Sequence, residues 1–248
     1  MAFTYDVNKV IDKYLEKGGK VNFPDSLRQV LTWAKNDSRI YKREHLAYLL
    51  ATAKAESGYS LQRWESDWLC GNVGMPYKDK PCQKVLDYYG SSSGKKNYYN
   101  LGIDKNGLPY FGRGLIQLTG KGNYETYGKL LGKNLVGNPE LALEPKNSYD
   151  IAVLYMNKRK TFDNVDKGDF TEARRTVNGG TKGLNEVNDA YRFWMSVLKD
   201  SGIKEKKVVN TISKANKDSG GSLLIIGVGL FVVSGVFLSI YIAKKFNK

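Results

Sequence analysis

Histidine and cysteine are nearly absent. The 248-residue chain has one histidine, His45, and two cysteines, Cys70 and Cys82. So small a set excludes a structural zinc site, and two cysteines do not make a disulfide framework. A single Cys70–Cys82 bridge and two separate thiols both stay open. The opening stretch MAFTYDVNKVIDKYLEKGG, with acidic residues and no apolar run, does not read as a secretory leader. Zinc-finger spacing, an RNA-binding aromatic signature, a P-loop and a fixed-period repeat are not found. The sequence therefore predicts no cofactor, no metal and no nucleic-acid partner. Acidic side chains are also in short supply: 25 Asp and Glu face 39 Lys and Arg, a formal charge of +14. Such an excess suits anionic surroundings, whether lipid or acidic polymer.

What the chain does contain is ordinary in amount and uneven in distribution. Apolar residues make up 41% and charged residues 26%, which excludes a fully disordered chain and a multi-span membrane protein. From Ser219 to Ala243 no side chain is charged. The expected organisation is a domain over residues 1–200, a basic flexible linker over 201–221, a transmembrane helix over 222–243 and a basic tail over 244–248. The twenty-one residues Leu223 to Ala243 span about 31 Å as a helix, at about 1.5 Å each, enough to cross a bilayer core. Tyr241, Lys244 and Lys245 suit the membrane interface. Lysines are denser on the domain side, which favours a cytoplasmic-facing domain.

The first 200 residues read as mainly helical. Val7, Val10, Ile11, Tyr14 and Leu15 repeat at helical spacing and stop at Gly18-Gly19. Leu27, Val30, Leu31 and Ala34 repeat the pattern after Pro24. A third helix is predicted over Lys42 to Glu56, with Leu46, Leu49, Leu50 and Ala53 on its buried face. Residues 71–109 read as a long irregular region of the kind that often binds ligands. Helical spacing returns at Tyr124–Leu131, Ser148–Lys158, Asp169–Val177 and Leu184–Leu198.

Three segments carry chemistry. Glu56 closes the third helix at a glycine, where a carboxylate stands at a rim with its stem packed, a setting that suits a general acid. Glu65 follows nine residues later, in Arg63-Trp64-Glu65-Ser66-Asp67-Trp68. Paired carboxylates among aromatic faces are what glycoside hydrolysis requires, and Asp67 competes with Glu65 for the second role. The third segment is YFGRGLIQLTGKGNY, Tyr110 to Tyr124. Two glycines around an arginine permit close backbone approach, while Gln117 and Thr119 offer hydrogen bonds to a substrate or a water.

Together these segments resemble glycoside hydrolase family 19, which includes chitinases and phage endolysins. Downstream, Gly137-Asn138-Pro139-Glu140 is similar to the family's Asn-Pro segment, and Arg174-Arg175-Thr176-Val177-Asn178-Gly179-Gly180 to its Asn-Gly-Gly segment. The resemblance covers Leu46 to Phe193, and the short spacing of the two glutamates looks like the endolysin branch. It implies a mainly α, lysozyme-like domain with a two-lobed cleft. It further implies Glu56 as general acid, Glu65 as general base and Thr119 as holder of the attacking water. Gln117, Tyr124, Asn178, Tyr110 and Trp64 would contact substrate, and Arg175 would support the acid. Two positions depart from the family pattern. Ala55 stands where histidine usually precedes the acid, and Glu186-Val187 where an Asp-Arg pair usually follows Gly-Leu. His45, far from the acid, reads as structural.

The implied function is a membrane-anchored glycosidase that cuts peptidoglycan strands with inversion and works as a virion-associated lysin of a membrane-containing phage. Its expected partners are the glycan strands, a bilayer through 222–243 and capsid proteins. The alternatives are a chitinase, a lytic transglycosylase, and a wall-docking protein that keeps the cleft without the chemistry.

Overall fold

In the computed structural model, residues 3–65, 101–106 and 108–205 are described. The chain opens with β1 (Phe3–Thr4), followed by helices α1 (Val7–Glu16), α2 (Pro24–Ala34) and α3 (Arg43–Ser57). After residues 101–120 come α4 (Lys121–Leu131), a 3-10 turn (Pro139–Leu143) and α5 (Pro145–Lys158). Then follow α6 (Thr161–Asp166), α7 (Phe170–Asn178), α8 (Leu184–Asp200) and β2 (Lys204–Glu205). The mainly helical expectation holds. The expected spanning segment 222–243, the basic tail 244–248, Asp67, Trp68, Cys70 and Cys82 lie outside the described residues. Among the described residues no helix is long and apolar enough to cross a membrane.

Local chemistry sets the helix ends. Asp6 caps α1 by accepting from the backbone N–H of Asn8 at 2.8 Å and Lys9 at 3.4 Å. Proline occupies the first turn of α2 and of α5, where its missing N–H is not needed. In α1 the periodic residues Val10, Ile11 and Tyr14 are buried as expected, whereas Leu15 is 49% exposed. Leu15 sits at the edge of the stripe, where the 100° step of a helix has already turned it outward.

Helix α3 departs further from its predicted amphipathic character. Every residue from His45 to Ala53 is buried. A helix enclosed on all sides is a core element rather than a surface one. Its most extensive packing is against α8, and α6 also contacts it. One core cluster gathers Leu46, Leu49, Leu50 and Ala53 with Trp194, Val197 and Leu198 of α8. Trp194 stacks on Tyr14 at 4.6 Å and donates to the Tyr59 hydroxyl at 3.0 Å. A smaller cluster joins Tyr48 and Ala51 of α3 to Val165, Ala173, Val187 and Ala190.

The two ends of the domain are tied together. β1 and β2 pair antiparallel, with Phe3 opposite Glu205 and Thr4 opposite Lys204. Ser201 and Ile203 are buried. The expected linker start at residue 201 is therefore corrected: ladder hydrogen bonds and apolar burial carry the folded part on to Glu205.

Candidate active site

Glu56 lies in the last turn of α3, and the chain leaves that helix through Gly58 and Tyr59, both at positive φ (60° and 73°). A tyrosine in the left-handed region is strained. Here it is held by its N–H donating to the Ala53 carbonyl at 3.1 Å and by the bond from Trp194. This turn redirects the backbone so that residues 60–65 run away from the helix toward the glycine-rich segment.

The Glu56 carboxylate receives a bond from Arg174 Nη1 at 2.6 Å. Arg174 is itself buried in α7, and its Nε donates to the Lys182 carbonyl at 2.8 Å. One planar guanidinium thus pins the carboxylate and the turn after α7 at once. The family resemblance implies this role for Arg175. The structure corrects it: Arg175 is exposed and pairs with its neighbour Glu172 at 3.4 Å. Adjacent helical residues point about 100° apart, so only one of the two can face α3. Asn178 is exposed, and its side-chain amide donates to the Lys182 carbonyl at 3.3 Å. It therefore supports the same turn.

Glu65 stands on a short antiparallel contact between Trp64 and Arg113. Its N–H donates to the Gly112 carbonyl at 2.8 Å, and its carboxylate accepts from the Gly112 N–H at 2.9 Å. Gln117 and Thr119 close on the same glycine. A Cβ at Gly112 would lie 3.0 Å from Gln117 Oε1 and 3.2 Å from Thr119 Oγ1. Glu65, Gln117 and Thr119 are therefore brought together around Gly112. Gln117 also holds a positive φ of 55°. Its side-chain amide donates to the carbonyls of Arg63 at 3.1 Å and Gly114 at 2.9 Å. The Thr119 hydroxyl donates to the Gln117 carbonyl at 2.8 Å, which leaves its lone pairs for a further donor.

Beneath these residues sits a side chain that sequence reasoning passed over. Arg113 is fully buried. It donates to Glu140 Oε1 from Nε at 3.0 Å and Nη2 at 2.8 Å, and from Nη1 to the Tyr124 hydroxyl at 3.0 Å. Its guanidinium lies 4.6 Å from the Phe111 ring centre and 6.0 Å from that of Trp64, a cation–π setting. The glycines on either side were the available signal. Gly114 adopts φ +77°, and a Cβ there would meet Ser148 Oγ at 2.6 Å and the Ala142 carbonyl at 2.9 Å. The backbone must come this close for Arg113 to reach Glu140 and for the Leu115 N–H to reach Ser148 at 2.8 Å.

Three expected substrate contacts belong to this foundation instead. Tyr124 is completely buried and donates its hydroxyl to the Phe111 carbonyl at 2.8 Å. Burial pushes its phenol pKa up. Tyr110 is buried, with its hydroxyl on the Val136 carbonyl at 2.9 Å. Trp64 is buried against Phe111, the ring centres 4.8 Å apart. The resemblance implies that these aromatics contact substrate; their burial makes them walls that hold the Gly112–Thr119 loop. His45 is equally internal. It stacks on Phe162 at 4.5 Å and meets Asp166 at 2.9 Å, and burial pushes its pKa below the usual 6.5. Among the described residues no group of three or more His, Cys, Asp or Glu is placed to hold a metal ion.

With this geometry in view, the comparisons with known proteins are specific. The family model for chitinase class I matches residues 34–169. A glycosyl hydrolase family 19 domain-containing protein of Haemophilus influenzae is 34% identical over 94 residues, 36% of this chain and 42% of that protein. Chitinase 8 of Oryza sativa subsp. japonica is 64% identical over 33 residues, 13% of each chain. The chain therefore spans less than half the length of these curated relatives. Among solved structures, a chitinase C variant superposes with a TM-score of 0.50 at 19% identity, covering 79% of this chain and 92% of the other. That likeness is one of fold.

Proposed function

The chain belongs to glycoside hydrolase family 19, and from that membership we propose that it is a glycosidase that hydrolyses the glycan strands of peptidoglycan. The observation that carries this reading is the pair of anchored carboxylates, Glu56 on Arg174 and Glu65 on the Gly112 N–H beside Thr119. Glu56 protonates the leaving oxygen. Arg174 then stabilises the carboxylate left behind, because a fixed cation is aimed where negative charge develops. Glu65 takes a proton from a water on the opposite face of the sugar, and Thr119 accepts a hydrogen bond from that water. Such a pair yields inversion when the carboxyl groups stand about 6.5–9.5 Å apart.

The test is clearance of purified peptidoglycan by the full-length chain and by Glu56→Gln. The variant is expected to be at least ~100-fold slower, the scale of a lost general acid. Equal rates would overturn the assignment. Mass spectrometry of the released fragments separates hydrolysis from the anhydro product of a transglycosylase. Chitin as substrate is a second reading, favoured by the name of the rice relative. Faster release from chitin oligomers than from peptidoglycan would establish it. Tight fragment binding with no released reducing ends would instead support a wall-docking protein.

The charge-free stretch at 222–243 supports a single membrane anchor, and the denser lysines on the domain side support a cytoplasmic-facing domain. A wall-cutting domain on that face meets its substrate if the membrane becomes the inner lipid layer of a virion, with capsid proteins as neighbours. Recovery of the protein from purified, protease-treated particles is the expected result, and its absence from them would reject the virion setting.

A further inference from the structure

The domain has a concavity beside α4. It is a groove of about 480 Å3 between one face of α4 and the segment 132–136 that folds back along it. Its depth comes from Gly128, where a Cβ would lie 2.7 Å from the Lys133 carbonyl. Three lysines line the groove, Lys121, Lys129 and Lys133, against one acid, Glu125. Lys129 is paired with Glu125 at 2.8 Å. Among the described residues Lys121 and Lys133 form no close ion pair, and Lys121 acts on Glu125 only through its field.

Helix stability accounts for only part of this charge. Lys129 and Lys133 stand at the C-terminal end of α4, where a cation suits the helix dipole. Lys121 is the first residue of α4, and the first turn contains no acid. A cation there opposes the dipole, and its field on Glu125 one turn on offsets this only in part. Eight residues of helix separate Lys121 from Lys129, a rise of about 12 Å. One small anion cannot meet both ends of the groove, whereas a linear chain of repeated anions can. Asn134 adds an exposed amide to the lining. The aromatic residue of the groove, Tyr124, is fully buried and offers no face on which a nucleic-acid base could stack.

We propose that this groove binds a linear phosphodiester polymer of the cell wall, with Lys121 and Lys133 contacting phosphates at its two ends. The inference rests on the wall-directed reading above and adds a docking site to it. Docking on an anionic wall polymer would hold the domain beside its glycan substrate.

The experiment measures binding of the detergent-solubilised full chain to a fluorescent glycerol-phosphate oligomer by anisotropy. Lys121→Gln/Lys133→Gln is expected to bind about fivefold more weakly at low salt, the scale of two solvent-exposed charge pairs, with a shallower salt dependence. Lys9→Gln/Lys20→Gln removes the same net charge elsewhere and is expected to bind like the parent. Equal weakening by both double variants would overturn the proposal, since net charge alone would then explain binding. So would equal affinity for a neutral chitin oligomer. Single-stranded DNA of matched charge that binds as tightly, with the same dependence on the two lysines, would overturn it in favour of a nucleic-acid site. Glu56→Gln is expected to keep full affinity for the phosphate oligomer. Loss of hydrolysis and loss of docking are thus read separately, and either reading can fail without the other.

Discussion

Replacing Arg174 with alanine tests how the Glu56 carboxylate is held. The two side chains are 6% and 19% exposed, so the ion pair is largely withdrawn from water. Breaking a fully buried pair by removing one partner costs about 3–5 kcal/mol. The one-fifth exposure of Glu56 lets water recover part of that, and the Lys182 carbonyl loses a charged donor worth about 1.5 kcal/mol or more. The expected destabilisation is about 3 kcal/mol, a fall of about 1–1.5 M in the urea midpoint for a domain of this size. Arg175→Ala is the internal comparison. Its pair with Glu172 is 3.4 Å apart, exposed and three residues along one helix, so its loss should cost less than about 0.5 kcal/mol. Arg174→Lys keeps the charge but lacks the fork that serves both Glu56 and Lys182, and should fall between the two. Urea unfolding followed by far-ultraviolet circular dichroism gives the stabilities, and peptidoglycan clearance under folding conditions gives the activities. Equal costs for the two alanine variants, or an Arg174→Ala cost below about 1 kcal/mol, would refute the argument.

Two further outcomes are expected. Gly114→Ala combines a left-handed backbone with contacts of 2.6 and 2.9 Å on Ser148 and the Ala142 carbonyl; it should lower stability by about 2–4 kcal/mol, and an unchanged urea midpoint would show that the loop relaxes freely. His45 is the only histidine in the chain, and its folded pKa lies below the usual 6.5 because it is buried. Below pH 6.5 the unfolded chain therefore takes up this proton first, and stability falls as pH drops from about 6.5 toward the folded value. His45→Gln should flatten that part of the stability–pH curve, and an unchanged slope would mean that the imidazole is not the group responsible.

Much of the fold was legible in the order of residues because its causes are local. The 3.6-residue spacing of Val10, Ile11 and Tyr14, and of Leu27, Val30 and Leu31, marks helices wherever the chain is placed. Gly58 and Pro24 bound their helices through backbone geometry alone. The glycines around Arg113 are legible for the same reason, since only a residue without a side chain tolerates φ +77° against a neighbouring carbonyl. Glu56 and the Gln117–Thr119 segment stood out because their residue types and order match a family pattern.

Other features depend on which element packs against which, and no local signal carries that. Periodicity could not distinguish a one-sided helix from α3, whose surround by α6 and α8 is a property of the whole fold. Arg174 and Arg175 are chemically identical neighbours, and only the face that α7 buries selects the first as the partner of Glu56. Tyr124, Tyr110 and Trp64 carry the residue types of a sugar platform, yet Trp64 and Tyr124 turn inward around the buried Arg113 and Tyr110 packs on Tyr124. Composition and spacing, being local, determined the helices, the glycine turns and the pair of glutamates. The partners that hold those glutamates were decided by tertiary packing, because a buried charge selects its counter-ion from whatever the fold brings within about 3 Å.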